Sequence, residues 1–420
     1  MILFRALLII IILLSSFFYE PATGALTVAP TDWPQWRGPN RDGNVAGFNA
    51  PSAWPKELKE QWRVTVGIGH SSPLVVGDKV YMFTRQAEDE VLLCLEAATG
   101  KEVWRAANGP VAYTVNPAAY AHGKGPKSTP VYWNNKIYTF GISGILSGHD
   151  AKTGKLIWRK EFSKQYPRTS PLYGTATSPV VDNGLLIVHV GGHDKGALTA
   201  FDAETGAIKW SYDGDGPAYS SPIIVNLAGV RQVITYTQKE IIGVDATNGK
   251  LLWSVPAKTY YDTNCVTPIS YKDMLIFARE DQGIYAVRIV KQGSSFTTQE
   301  AWKNTDNELY MNTPVLQGNL LFGLSNKKKG QFFSIDADTG KTLWQSEGRM
   351  GENAAILGAG KVLFMLTNEA NLIVLNPTAK SFEQIAKYTV ANSQTWAHPV
   401  IWTNRILVKD EKTIASLAFQ

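Results

Sequence analysis

The sequence predicts an all-β fold, an eight-bladed β-propeller, and three observations support that prediction. The 420 residues include 36 Gly and 13 Trp, a composition typical of many short strands joined by tight turns. A ten-residue segment recurs along the chain, with a tryptophan four residues after a turn glycine. Each copy follows a pair of strand-like segments, so that one unit supplies the four strands of a propeller blade. Seven blades is the alternative, if one degenerate copy is an insertion.

The recurring segment has a clear physical interpretation. Five copies align without gaps, at residues 95–104, 149–158, 201–210, 244–253 and 335–344. The glycine is expected to take a positive φ and close a tight turn, while the aspartate accepts hydrogen bonds from turn amides. The tryptophan ring is expected to cover the adjacent sheet. We therefore predict seven structural docking tryptophans, one of them in a degenerate copy: Trp62, Trp104, Trp158, Trp210, Trp253, Trp302 and Trp344.

The two ends of the repeat region are predicted to complete one blade together. Residues 413–419 look like the third strand of a last copy that lacks an outer strand. Residues 61–66, which include Trp62, have the alternation of an outer strand without a blade before it. Pairing the two segments would close the ring and remove exposed strand edges.

The chain is predicted to divide into three parts. Residues 1–25 have the form of a secretory signal peptide, with Arg5, an apolar run over 6–14 and a small-residue cleavage site ending at Ala25. Residues 26–59 form a Trp-, Pro- and Gly-rich segment that caps the propeller, which occupies 60–420. The apolar run is short against the about 20 residues that cross a bilayer, although an uncleaved anchor stays open. We expect a periplasmic or secreted protein.

Charge and cysteine content exclude several function classes. The net charge is +5, and the basic run 327–329 is interpreted as a solvated hairpin tip, so no nucleic-acid interface is predicted. Cys94 and Cys265 should lie on opposite sides of the ring, too far apart to bridge, and are expected to be two free, buried thiols. No cysteine or histidine spacing typical of zinc or haem occurs, and no metal site is predicted.

The Asp-Ala-x-Thr-Gly-Lys-x-x-Trp unit resembles the tryptophan-docking repeat of the PQQ-like β-propeller family, from about residue 60 to residue 420. That family includes pyrroloquinoline-quinone (PQQ) enzymes and BamB, a lipoprotein of the outer-membrane β-barrel assembly machinery. Residues 32–43 resemble the opening of secreted bacterial PQQ-binding-like repeat proteins. The resemblance implies the fold. The chain departs from the quinone enzymes because it lacks their adjacent cysteines, and from BamB because no cysteine follows the apolar run for lipid attachment.

A candidate ligand funnel is predicted on the propeller axis, where the inner strand of each blade begins. Most of these starts precede a Ser/Thr-Pro step. Tyrosine and tryptophan would supply stacking area, and amides and the carboxylate would supply orienting hydrogen bonds. The alternative is a water-filled channel. Oxygens of Glu352, Asn353 and Asn312 could bind Ca²⁺, but carboxylates are too few to predict it. The nine candidates are His70, Lys127, Tyr173, Tyr219, Asn264, Asn312, Glu352, Trp396 and His398.

The sequence favours a non-catalytic, extracytoplasmic binding or scaffold propeller, with a BamB-like role in envelope assembly as one form of it. No catalytic residue and no cofactor is predicted under this hypothesis. We expect a monomer, peripheral to a membrane at most, whose partner is an envelope protein or a small ligand. The alternatives are a PQQ-dependent alcohol dehydrogenase, with PQQ and Ca²⁺ as cofactors, and a carbohydrate-associated binding module.

Overall fold

Eight four-stranded antiparallel sheets make up the described part of the chain, which confirms the eight-bladed propeller and rejects seven blades. The computed structural model describes residue 29 and residues 31–162, 165–166, 171–259 and 262–420. The predicted signal peptide, 1–25, lies outside these residues. Among these described residues, helix is confined to two short 3-10 turns, Pro117–His122 and Lys327–Lys329, neither of them long or apolar enough to cross a bilayer.

Each blade runs from its inner to its outer strand in chain order. Blades one to four consist of β2 (Leu74–Val76), β3 (Lys79–Gln86), β4 (Asp89–Glu96) and β5 (Glu102–Pro110); β6 (Val131–Trp133), β7 (Lys136–Phe140), β8 (Ile145–Asp150) and β9 (Leu156–Glu161); β10 (Val180–Asp182), β11 (Leu185–Gly191), β12 (Gly196–Asp202) and β13 (Ile208–Gly214); and β14 (Ile223–Leu227), β15 (Val230–Tyr236), β16 (Glu240–Asp245) and β17 (Leu251–Pro256).

The other four blades follow the same plan, with one exception at the closure. They consist of β18 (Ile269–Tyr271), β19 (Met274–Arg279), β20 (Gly283–Gln292) and β21 (Ser295–Asn304); β22 (Val315–Gln317), β23 (Leu320–Ser325), β24 (Gln331–Asp336) and β25 (Thr342–Gln345); β26 (Ala354–Ala359), β27 (Val362–Thr367), β28 (Asn371–Asn376) and β29 (Glu383–Thr389); and β30 (Val400–Trp402), β31 (Arg405–Lys409), β32 (Thr413–Ala418) and then β1 (Lys59–Thr65).

The ring closes as predicted, by pairing the first strand with the last. β1 lies antiparallel to β32, with Trp62 opposite Ser416 and Val64 opposite Ile414. The first described strand therefore supplies the outer edge of blade eight. Because β32 pairs with β31 on one side and with β1 on the other, it presents no unpaired strand edge to solvent.

The repeat turn has the predicted chemistry. In blade two, Gly154 has a φ of +75°. Asp150 Oδ1 accepts hydrogen bonds from the amides of Lys152 and Thr153 at 3.1 and 2.8 Å. The aspartate thus satisfies turn amides that no strand partner reaches, while glycine supplies a conformation that a side chain resists.

The docking tryptophans connect each blade to the next. Trp158 Nε1 donates to the carbonyl of Ala203 at 3.0 Å, and its ring covers Gly206, where a Cβ would lie 2.8 Å from Trp158 Cδ2. The turn glycine is therefore required twice, for its φ and for the space its missing side chain leaves. The same ring-over-glycine contact joins Trp62 to Gly100, Trp104 to Gly154, Trp210 to Gly249 and Trp302 to Gly340.

Trp253 makes its hydrogen bond within its own blade, unlike the tryptophans whose Nε1 donates to the next blade, which are Trp62, Trp158, Trp210 and Trp302. Its Nε1 donates to Gln232 Oε1 of its own blade at 2.7 Å, and its ring lies against Gly243, also of its own blade. In the following blade, β20 and β21 extend to a hairpin in which Gln292 lies opposite Ser295, and this hairpin replaces the Thr-Gly turn. Trp344, which also faces a degenerate copy, still donates across to the carbonyl of Thr378 at 2.8 Å.

Residues 32–45, which we call the plug, cross the propeller axis. Trp33 pairs with Val75 of blade one, while Asn44 bridges to Gly358 of blade seven. Arg37 donates to the carbonyls of residues 313 and 314 at 2.9 and 2.7 Å, before the inner strand of blade six. Arg41 donates to the carbonyls of residues 178 and 179 at 3.0 and 2.9 Å, before that of blade three. Contacts to blades on different sides of the ring place the plug across its centre.

Both cysteines are free, as predicted. Cys94 lies within blade one and is buried, whereas Cys265 precedes the inner strand of blade five. The expectation that both are buried is wrong for Cys265, which is only half-buried because it faces the axial cavity.

Candidate functional site

A belt of hydroxyl groups links six blades around the axis. The amide of Ser72 donates to Thr129 Oγ1 at 3.0 Å, and that of Thr129 donates to Ser178 Oγ at 2.9 Å. The pattern continues through three further blades, and the amide of His398 donates to Ser72 Oγ at 3.0 Å. Each member immediately precedes the proline of a Ser/Thr-Pro step. We call this set the hydroxyl belt: Ser72, Thr129, Ser178, Ser221, Thr267 and Thr313.

The belt surrounds an axial funnel with a volume of about 190 Å³. Six of the nine predicted site residues line it: His70, Lys127, Tyr173, Tyr219, Trp396 and His398. Sequence reasoning did not include the other side chains that face the funnel beside the belt, which are Trp36, His122, Ala176, Thr263, Cys265, Met311 and Asn353.

Three predicted site residues do not line the funnel. Asn264 is buried, and its Nδ2 donates to backbone carbonyls, including that of Ala257 at 2.8 Å. Asn312 exchanges two hydrogen bonds with the backbone of Leu324. Glu352 points to solvent. The two asparagines stabilise the loops that lead into the strands, so their amides are already used.

The plug supplies one wall of the funnel through Trp36. The guanidinium carbons of Arg37 and Arg41 each lie 5.6 Å from the centroid of the Trp36 ring, a distance at which cation–π attraction operates. His398 meets the same ring edge-on, with centroids 5.5 Å apart. Since the plug packs against the inner strands beyond the belt, Trp36 forms the floor of a blind funnel.

His122 reaches the funnel on the short helix Pro117–His122. Asn116 caps that helix by accepting a hydrogen bond from the Ala118 amide at 3.0 Å. The His122 ring lies 5.1 Å from that of Trp396 and 6.0 Å from that of His70. The Asn-Pro start of the helix is a sequence signal that could have located this turn.

Burial determines the charge state of the funnel. It lowers the pKa of the Lys127 ammonium to about 8, and the Lys127 Nζ donates to the carbonyl of Tyr173 at 2.6 Å. Burial, assisted by Lys127, lowers the pKa of His70 to about 3, and burial together with Arg37 lowers that of His398 to about 3. Both imidazoles are therefore neutral at pH 7, while Lys127 stays mostly protonated. No Asp or Glu is found among the described residues that line the funnel.

The oxygen ligands considered for Ca²⁺ do not converge. Glu352 is exposed, and the amide of Asn312 is bonded to the backbone, which leaves Asn353 alone at the funnel. Across the described ranges, no group of three or more His, Cys, Asp or Glu could hold a metal ion.

The repeat region of the chain matches a known protein family. The model of the family described as outer membrane protein assembly factor BamB matches residues 41–121 and 88–346. The chain belongs to this family. BamB of Shewanella oneidensis is 22% identical to it over 257 residues, which are 58% of this chain and 62% of that protein.

Quinone enzymes are also among the relatives of this BamB-family chain. The dehydrogenase subunit of the quinone alcohol dehydrogenase of Komagataeibacter europaeus is 32% identical over 155 residues, or 34% of this chain. The match spans only 19% of the dehydrogenase. Sequence comparison thus finds both BamB proteins and quinone dehydrogenases, and it does not decide which of their functions this chain shares.

Solved structures agree on the fold. The quinohemoprotein alcohol dehydrogenase of Comamonas testosteroni superposes with a TM-score of 0.70 at 14% identity, covering 95% of this chain and 81% of that one. BamB of Moraxella catarrhalis superposes with a TM-score of 0.62 at 13% identity, covering 86% and 98%. At these identities the likeness supports the propeller fold alone.

Proposed function

We propose that this BamB-family propeller is a non-catalytic, extracytoplasmic binding protein whose funnel takes a small ligand. The observation that carries the proposal is the blind funnel with Trp36 as its floor. Aromatic walls with a few convergent polar groups are typical of ligand sites. The volume of about 190 Å³ is below the roughly 300–1,000 Å³ of pockets for drug-sized molecules, which favours a compact ligand.

Two observations support the extracytoplasmic location. The apolar run 6–14 after Arg5 has the form of a signal peptide. The matching family is described as an outer membrane protein assembly factor. A scaffold role in envelope assembly, with a protein partner, is consistent with the same location and belongs to this proposal.

The second candidate is a quinone-dependent alcohol dehydrogenase, which is favoured by relatives of that name at 31–34% identity over about a third of the chain. The funnel does not fit PQQ with Ca²⁺. Ca²⁺ takes about six to eight oxygen ligands, commonly including carboxylates, and the described lining has none. Cys94 and Cys265 are also in different blades, so no adjacent pair lies beside the cavity.

Filling the funnel tests the proposal. Ala176 lines the cavity, so Ala176→Phe should block it, while Ala207→Phe places the same ring on an exposed turn. We expect calorimetry to detect saturable binding of at least one of benzoate, benzamide or glucose, lost in Ala176→Phe and kept in Ala207→Phe. Binding that survives Ala176→Phe, or no binding of any probe, would contradict a funnel ligand.

The enzyme alternative is tested in parallel with PQQ and Ca²⁺. We expect no saturable binding of PQQ and no reduction of an artificial dye with ethanol. Saturable PQQ binding that Ala176→Phe abolishes, together with alcohol-dependent dye reduction, would establish the dehydrogenase instead.

A further inference from the structure

The centre of the propeller holds three cations without an ion-pair partner among the described residues: Arg37 and Arg41, which are buried, and Lys127, which is half-buried. Arg37 and Arg41 are buried, and their hydrogen bonds go to backbone carbonyls and to the side-chain amide of Gln35. Lys127 is bonded to the carbonyl of Tyr173. Within the described residues, none of the three forms an ion pair. Buried Lys and Arg are normally paired, because an isolated charge is costly in a medium of low polarity.

The Lys127 ammonium retains binding capacity at the funnel wall. An ammonium has three N–H donors, and the bond to the Tyr173 carbonyl uses one of them. The neighbouring imidazole of His70 is neutral, so it adds no second positive charge beside Lys127. Lys127 is thus the one formally charged side chain among the described residues that line the funnel.

The hydroxyl belt adds further donors. Each belt hydroxyl accepts one backbone amide, which leaves its own O–H to donate. Among the described contacts of the belt, only Thr267 uses that proton within the protein, toward the Ser221 carbonyl at 3.4 Å. The funnel is therefore rich in donors and contains no carboxylate acceptor. Its chemistry complements an anion with several acceptor oxygens.

The other walls select a flat ring. Trp36 forms the floor, and Trp396 and the edge-to-face pair Tyr173–Tyr219, with centroids 5.7 Å apart, form the sides. Aromatic rings attract one another in offset and edge-to-face arrangements, so this enclosure favours a planar guest over a branched one.

We infer that the ligand is an aromatic carboxylate with a single ring, smaller than the three fused rings of PQQ as the funnel volume of about 190 Å³ requires, whose carboxylate binds Lys127 and belt hydroxyls and whose ring lies among Trp36, Tyr219 and Trp396. This inference rests on the proposed function, since it needs the funnel to be a ligand site. Charge-assisted hydrogen bonds are roughly twice as strong as neutral ones, which makes Lys127 the main determinant of the preference for an anion.

Calorimetry with matched probes tests the inference on the full secreted protein. Benzoate and benzamide have the same ring and differ in charge, and inorganic phosphate supplies an anion without a ring. We expect benzoate to bind roughly tenfold or more tightly than benzamide, and phosphate to bind weakly. Lys127→Met should bring the benzoate and benzamide affinities together. Lys155→Met, on an exposed repeat turn, should leave the ratio unchanged.

The outcomes distinguish failure of the anion preference from failure of the funnel as a ligand site. Equal affinity for benzoate and benzamide, both blocked by Ala176→Phe, would overturn the anion preference and leave the funnel a ligand site. Phosphate binding as tight as benzoate would overturn the requirement for a ring. Loss of binding in Lys127→Met counts only if its melting temperature matches the parent; if it does not fold, Lys127→Arg, which keeps the charge, must retain the benzoate preference or the inference fails.

Discussion

The indole of Trp210 lies over Gly249 of the next blade, so that a Cβ at Gly249 would sit 2.5 Å from Trp210 Cε3. Trp210 Nε1 also donates to the carbonyl of Ala246 in the same turn, at 3.1 Å. One repeat turn thus both reverses its own chain and receives the tryptophan of the preceding blade. The fixed spacing from the turn glycine to the tryptophan in the sequence reflects both of these structural roles.

Gly249→Ala should destabilise the protein more than Gly229→Ala does. Both glycines have nearly the same φ, +74° and +73°, so the backbone strain of an alanine is matched. No atom lies within 4 Å of a Cβ at Gly229, whereas Gly249 faces the indole. The clash should add about 1–3 kcal/mol to the loss of unfolding free energy, measured by urea denaturation. Equal losses would show that the tryptophan does not pack on the turn.

Trp253 and Gln232 should be energetically coupled. Trp253→Ala should cost about 3–5 kcal/mol of unfolding free energy, as expected for a packed aromatic ring. Trp253→Phe keeps most of the ring but leaves the buried Gln232 Oε1 without its donor, at a cost of about 1–3 kcal/mol. A double-mutant cycle with Gln232→Met should show coupling, while the same cycle with Trp344→Phe, two blades away, should be additive. Additivity in both cycles would refute the hydrogen bond.

Ring closure predicts different effects for two truncations. A chain that ends at Asp410 lacks β32, which leaves β1 without a partner and exposes one edge of β31, so it should aggregate or melt at a much lower temperature. A chain that starts at Pro51 keeps β1 and loses the plug, so it should stay monomeric while losing the funnel floor. Size-exclusion chromatography and thermal melts distinguish the two. A monomeric, equally stable chain that starts at Ser71 would refute the closure.

Acid should destabilise the protein through its buried imidazoles. The unfolded chain takes up protons on histidine near pH 6.5, but His70 and His398 do so only near pH 3 when folded. Between these values the unfolded state binds more protons, so the unfolding free energy falls as the pH is lowered from about 6.5 toward 3. Melting temperatures at pH 7 and pH 4.5 measure the effect. His398→Gln should lose less on acidification than the parent, and an identical loss would contradict a buried neutral His398.

The repeat determined the fold from sequence because its signals are local. Positive φ at Gly154 and amide capping by Asp150 depend on residues within one turn, and each blade repeats them. Closure could also be predicted, since an outer strand at one end and a missing one at the other leave a single arrangement without exposed edges. The hydrogen bond of Trp253 could not be predicted, because it depends on a turn that the next blade lacks.

The tertiary structure decides which side chains line the funnel. The three site predictions that miss the funnel share one cause. Where the sequence indicated Asn264, Asn312 and Glu352, the structure places the adjacent residues in the funnel, namely Cys265, Met311 and Asn353. In extended chain, successive side chains point in opposite directions, so an offset of one residue exchanges the side chain that faces the axis for one that faces away. Trp36 and His122 lie on segments outside the blades, and only the folded ring brings them to its axis. The sequence by itself therefore determined the blades and their order, whereas the side chains that meet at the axis depend on the packing of all eight blades around it.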